Sequence, residues 1–112
     1  MEITKTKRDD IDIIRIEGQL DGTTSIIAQK EIIPLVTPES KLVIDMGDCD
    51  YISSSGLRVL MMIGKQLSKE GGKGVLAKLS EEVRDIMEMT GFSHIFKSYP
   101  TLDEAIEALK KE

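Results

Sequence analysis

The sequence predicts a single α/β domain, a mixed and mostly parallel sheet of about 4–5 strands covered by about 4 helices. Three observations lead there. Short runs rich in Ile, Val and Thr alternate along the chain with segments whose apolar residues recur at helical spacing. Serine or threonine precedes the helical segments, and glycine follows several of them. A chain of 112 residues, 40% hydrophobic and 31% charged, has the size and balance of one globular unit. Such a unit buries about two thirds of the surface its unfolded chain exposes.

Residues 2–6 and 11–17 read as an N-terminal pair of strands split by the turn-forming Arg8-Asp9-Asp10. In the second run, Ile11 and Ile13 are in one phase and Ile14 and Ile16 in the other, which predicts a strand covered on both faces or one broken by a bulge. Gly18 ends it. Thr23 or Thr24 then caps a helix carrying Ile26, Ile27, Ala28, Ile32 and Ile33, and Pro34 kinks or stops that helix near Ile33. The branched run at 42–46 has the length of a buried central strand. Leu57, Leu60, Met61, Gly64 and Leu67 fall on one stripe, which predicts a helix over 54–69, roughly 24 Å long, closed by Gly71-Gly72. The next strand is expected at 75–79. Ser80 caps a helix with Glu81 and Glu82 in its first turn and Val83, Ile86 and Met87 inward, ended by Gly91. Ile95 and Phe96 are expected to form a short strand. Thr101-Leu102-Asp103-Glu104 has the form of a capping box that opens a last helix, with Ala105, Ile106 and Leu109 on one side.

Fifteen basic residues against twenty acidic ones leave a net charge of −5, and no Lys/Arg cluster exceeds a pair. That pattern argues against direct nucleic-acid binding and toward a protein partner. The N-terminal residues lack a basic segment followed by an apolar stretch, and no apolar run approaches the roughly 20 residues that span a bilayer, so the expectation is a cytoplasmic chain without membrane contact. Cys49 is the only cysteine, which excludes an internal disulfide and a cysteine-rich metal site. No motif asks for a cofactor. Gly71-Gly72-Lys73-Gly74 lacks the Lys-Ser/Thr ending of a phosphate-binding loop and reads as a turn. Enzymatic catalysis is not expected, because the single histidine, His94, reads as a surface or packing residue and Gly-x-Ser-x-Gly is absent. Met61 and Met87 fall on core stripes, whereas Met62 and Met89 either pack or extend an apolar patch beside Leu57 and Arg58.

The most informative stretch is 48–57, where Ser53-Ser54-Ser55-Gly56-Leu57 stands at a strand-to-helix junction. Hydroxyls there lie beside the first helical N–H groups, which have no partner within the helix. A phosphate on Ser55 would sit at the positive end of the helix dipole, held by backbone donors. Gly56, lacking Cβ, is expected to leave room for a partner backbone to approach. The plainer reading is that Ser53 or Ser54 is an N-cap and the other serines are small loop residues.

Asp48-Cys49-Asp50-Tyr51-Ile52-Ser53-Ser54-Ser55-Gly56-Leu57 resembles the signature of STAS domains of the anti-sigma factor antagonist type, whose loop ends in Asp-Ser-Ser-Gly-Leu. Gly18-Gln19-Leu20-Asp21 resembles the family's Gly-x-Leu-Asp loop, the run at 42–46 its central strand, and Thr90-Gly91-Phe92 with the final helix also fit, so the resemblance extends over residues 1–112 as one STAS domain. It implies phosphorylation at Ser55, the serine before the glycine. It also implies a partner-binding surface of Asp21, Ser53, Ser54, Gly56 and Leu57, with Asp21 close to the modified serine. The implied partner is an anti-sigma factor with serine kinase activity, which the unmodified protein binds so as to free a sigma factor; a phosphoserine phosphatase would reset the cycle. Ser53 stands where most members have aspartate, which removes an anion from the helix start. The alternative reading is a STAS module that binds proteins or small anions without a phosphorylation cycle.

Overall fold

Asp9 and Asp10 both take positive φ, 54° and 64°, the combination of a type I′ turn, and so join β1 (Glu2–Arg8) to β2 (Ile11–Glu17) as an antiparallel hairpin. The computed structural model describes residues 1–111. Three further strands follow, β3 (Lys41–Asp48), β4 (Lys73–Ala77) and β5 (Ser98–Tyr99), interleaved with α1 (Thr24–Ile32), α2 (Ser54–Lys69), α3 (Glu81–Met89) and α4 (Leu102–Lys110). The sheet runs β1-β2-β3-β4-β5, and every pair after the first is parallel. This is the mixed, mostly parallel architecture the sequence predicts.

The two phases of β2 assign the layers. Ile14 and Ile16 point to the face where Ala28 and Ile32 of α1, Leu60 and Ile63 of α2, and Val83 and Met87 of α3 form the larger core. Ile11 and Ile13 point to the other face, with Val43, Val75, Ala105, Ile106 and Leu109 beneath α4. A register shift between Arg15 and Glu17 breaks the pairing with β3. Burial on both faces, and not a bulge in β2, explains the two phases, since β2 pairs with β1 without a shift from Ile11 to Glu17 and the extra residue opposite Arg15–Glu17 lies in β3.

Several local expectations shift. Thr23 holds the N-cap position of α1, but its side chain makes no cap bond; Asp21 Oδ1 accepts from the backbone N–H groups of Thr23 and Thr24 at 3.0 Å. Ile26 and Ile27 face outward on α1, 56% and 43% exposed. Pro34 ends α1 as expected, with Ile33–Leu35 continuing as a 3-10 turn. β4 begins and ends two residues before the expected strand, because Lys78 takes positive φ and breaks the extended run. Ile95 and Phe96 are not a strand. Gly91, with φ 77°, turns the chain into a 3-10 segment at Phe92–His94, where Phe92 and Phe96 stack with centroids 6.0 Å apart, and the strand forms only at Ser98. His94 is exposed on that turn.

Candidate functional site

The site is built where the loops after β2 and β3 leave the sheet side by side. Gly18 N–H donates to Asp48 O at 2.9 Å, Leu20 N–H to Tyr51 O at 3.0 Å and Ser53 N–H to Leu20 O at 2.9 Å. Leu20 and Ile52 form a parallel bridge, so the two loops are joined as a short extension of the sheet. Arg15 Nε donates to Asp48 Oδ2 at 2.8 Å across the bases of the loops, and that carboxylate raises the Arg15 guanidinium above its ordinary value. Cys49 is buried beneath them, its thiol pushed up chiefly by burial.

Helix α2 starts directly on this platform. Ser53 is the N-cap, its Oγ accepting from Gly56 N–H at 3.2 Å, and Leu57 N–H closes the first helical bond on Ser53 O at 2.9 Å. Among the described residues the N–H groups of Ser54 and Ser55 have no protein acceptor. Ser54 is exposed and Ser55 and Leu57 are half-buried. Gly56 departs from the expectation: it is buried, and a Cβ there would lie 2.7 Å from Leu20 O and 2.8 Å from Ile52 Cγ1. The space it leaves is filled from within the domain, by the loop carrying Asp21, and not offered to a partner.

The loop carrying Asp21 passes Ser55 at the next residue, where a Cβ on Gly22 would sit 4.0 Å from Ser55 Oγ. The Asp21 carboxylate is turned to its own loop. Oδ1 takes the N–H groups of Thr23 and Thr24, while Thr24 Oγ1 accepts from Asp21 N–H at 2.8 Å and donates to Gln19 O at 2.7 Å. The backbone donors of Thr24 and then Thr23 hold the Asp21 carboxyl below its ordinary value. The loop that passes Ser55 is thereby fixed by its own hydrogen bonds. The Arg15–Asp48 pair was not foreseen from sequence because it joins residues 33 apart, whereas the Thr24 network lies wholly within residues 19–24 and was a local signal the sequence reading passed over.

Among the described residues no group of three or more His, Cys, Asp or Glu could hold a metal ion. No helix among the described residues is long and apolar enough to cross a membrane. What the arrangement offers is an accessible hydroxyl at a helix start with open backbone donors, set between two loops that are rigidly joined.

A mixed, mostly parallel sheet sandwiched by helices, with a serine-bearing helix start docked on the loop after the second strand, is the arrangement of a STAS domain. The chain belongs to the STAS domain family, whose profile matches residues 2–105. It is 34% identical to BtrV of Bordetella bronchiseptica over 98% of this chain and 96% of that one. It is 30% identical to the anti-sigma-B factor antagonist of Bacillus subtilis, covering 80% of this chain and 83% of that one. The crystal structure of an anti-sigma factor antagonist from Mycobacterium paratuberculosis superposes with a TM-score of 0.87 at 27% identity, over 97% of this chain and 93% of that one.

Proposed function

We propose that the chain, taken as one STAS domain, is an anti-sigma factor antagonist. Its unmodified form docks an anti-sigma factor over Ser54, Ser55, Leu57 and the adjoining Asp21 loop, and so frees a sigma factor in the cytoplasm. The partner's serine kinase activity phosphorylates Ser55 and ends the docking, and a phosphoserine phosphatase restores it. The chain itself binds and releases; it does not catalyse. The observation that carries this reading is the open start of α2, where Ser55 stands half-exposed with unpartnered backbone N–H groups beside a fixed loop. Those donors and the helix dipole stabilise an added phosphate without disturbing the core. The test is to incubate the protein with the anti-sigma factors of its source and ATP, weigh the product, and map the modified residue. A gain of one phosphoryl group on Ser55, matched by loss of binding, is the expected result; modification of Ser54 instead would reject the assignment.

One observation favours a second reading. Ser53 occupies the cap position with a neutral hydroxyl where the family commonly has a carboxylate. A module of this kind could bind its partner constitutively, and the same mass measurement would then show no addition while titration still shows binding.

A further inference from the structure

Helix α2 carries more apolar surface than the sheet covers. Val59, Leu60, Ile63 and Leu67 are buried on its inner side, while Leu57 and Met61 on the flank remain half-exposed. Together with Phe92 and Ile95 from the turn after α3, and with Ser54 and Arg58 at the rim, they line an open groove of about 280 Å³. Ile95 is 52% exposed, and Met89, next to the groove residue Thr90, is 85% exposed. Arg58 is exposed and, like Arg84, has no ion-pair partner among the described residues, whereas Arg8 pairs with Asp103 and Arg15 with Asp48. An uncommitted guanidinium at the edge of an apolar groove, on a protein of net charge −5, is complementary to an apolar segment carrying an acid. The groove is also continuous with the serine junction, since Ser54 and Leu57 belong to both.

We propose that this groove receives a segment of the anti-sigma factor that presents an apolar side chain to Leu57, Met61 and Ile95 and a carboxylate to Arg58, and that phosphate on Ser55 competes for the same guanidinium. The inference rests on the antagonist reading and adds to it the chemistry of the partner's segment. Ser55 and Arg58 are three residues apart on one helix, the spacing at which side chains meet. A phosphoserine there takes the arginine in a charge-assisted pair stronger than one to a single carboxylate. Modification then acts twice: it places charge at the docking surface, and it removes the cation that the partner's acid needs.

The experiment is calorimetric titration of the anti-sigma factor found to bind the parent, with Arg58→Ala, Ile95→Asp, Ser55→Asp and the double variant Arg58→Ala/Ser55→Asp, each checked for folding by circular dichroism. Both side chains altered outside the serine are exposed, so the variants keep the core. Arg58→Ala and Ile95→Asp are each expected to weaken binding by about tenfold or more. Ser55→Asp is expected to cost less in the Arg58→Ala background than in the parent, the coupling that shared use of one guanidinium requires. If Arg58→Ala and Ile95→Asp bind like the parent while Ser55→Asp stays blocked, the groove is not the docking site and the antagonist reading survives. If the parent self-associates and Ile95→Asp dissolves the dimer without touching anti-sigma affinity, the occupant is a second copy and the inference is overturned. A parent that binds no anti-sigma factor overturns both.

Discussion

Gly56 has no room for a side chain, because a Cβ would meet the backbone oxygen of Leu20 at 2.7 Å as well as Ile52 Cγ1. A backbone atom cannot swing aside as a side-chain tip does. Gly56→Ala is therefore expected to lose about 1–3 kcal/mol in urea denaturation, with α2 displaced from the Leu20 loop. Gly22→Ala, whose Cβ would have only Ser55 Oγ near it, is expected to fall within about 0.5 kcal/mol of the parent. Equal behaviour of the two glycines would mean that α2 is not seated on the loop as described. Asp21 gives a pH-dependent counterpart. Its carboxyl is held below the ordinary value of 3.8 by the N–H groups of Thr24 and Thr23, so the folded form releases its proton at lower pH than the unfolded chain. The stabilisation is complete above the unfolded value and disappears as pH falls through the lowered folded one. In denaturation series run from pH 7 down to pH 3, Asp21→Asn should be less stable than the parent at neutral pH, and the gap should close in acid. A gap that persists unchanged would show that the charge of Asp21 has no part in fixing the loop.

Helix α2 shows where a sequence pattern stops being informative. Its limits at Ser54 and Lys69 follow from local residues and were legible, and the structure chooses Ser53 over Ser54 as the cap the sequence left between them. The buried face was placed only approximately: the stripe of Leu57, Leu60, Met61, Gly64 and Leu67 omits Val59 and Ile63, both buried, and includes Leu57 and Met61, which flank the groove. An apolar arc wider than the contact it makes reads the same in sequence whichever part is covered. Ile63→Ala is thus expected to cost on the order of 2–5 kcal/mol by chemical denaturation, through a cavity in the main core, and Met61→Ala clearly less. The reverse order would rotate the helix back to the simpler stripe. Similar limits apply elsewhere. The caps at Ser80 and Thr101 are local and were read directly, whereas Ile95 and Phe96 look like a strand until Phe92 is known to stack on Phe96. The serine motif could be read by resemblance, but the buried position of Gly56 depends on Leu20 meeting Tyr51 and Ser53 beyond the ends of β2 and β3. No local window contains those contacts.

For the whole molecule, the decisive relation is between a rigid body and the charge added to one end of it. Cores on both faces of the sheet hold the strands, and the loops carrying Asp21 and Ser53 are joined by backbone hydrogen bonds, so little of the fold depends on the state of Ser55. Phosphorylation would add roughly −1.5 to −2 charge at neutral pH, in a chain of net charge −5. Within the free domain the helix dipole and the open N–H groups of Ser54 and Ser55 offset that charge. In a complex, a partner surface pressed against the same place loses those compensations and brings its own acid toward the phosphate. Like charges in a dry contact cost about 3 kcal/mol, or roughly a hundredfold in Kd. The expectation is that phosphorylated protein and Ser55→Asp keep the circular dichroism and urea midpoint of the parent to within about 1 kcal/mol while their affinity for the anti-sigma factor falls, the aspartate less than the phosphate because it carries less charge. Ser55→Ala should bind whether or not kinase and ATP are present, and Ser54→Ala should remain switchable. Should Ser55→Asp bind as tightly as the parent while folded, or should its fold collapse, charge at a rigid docking surface is not how this domain is switched.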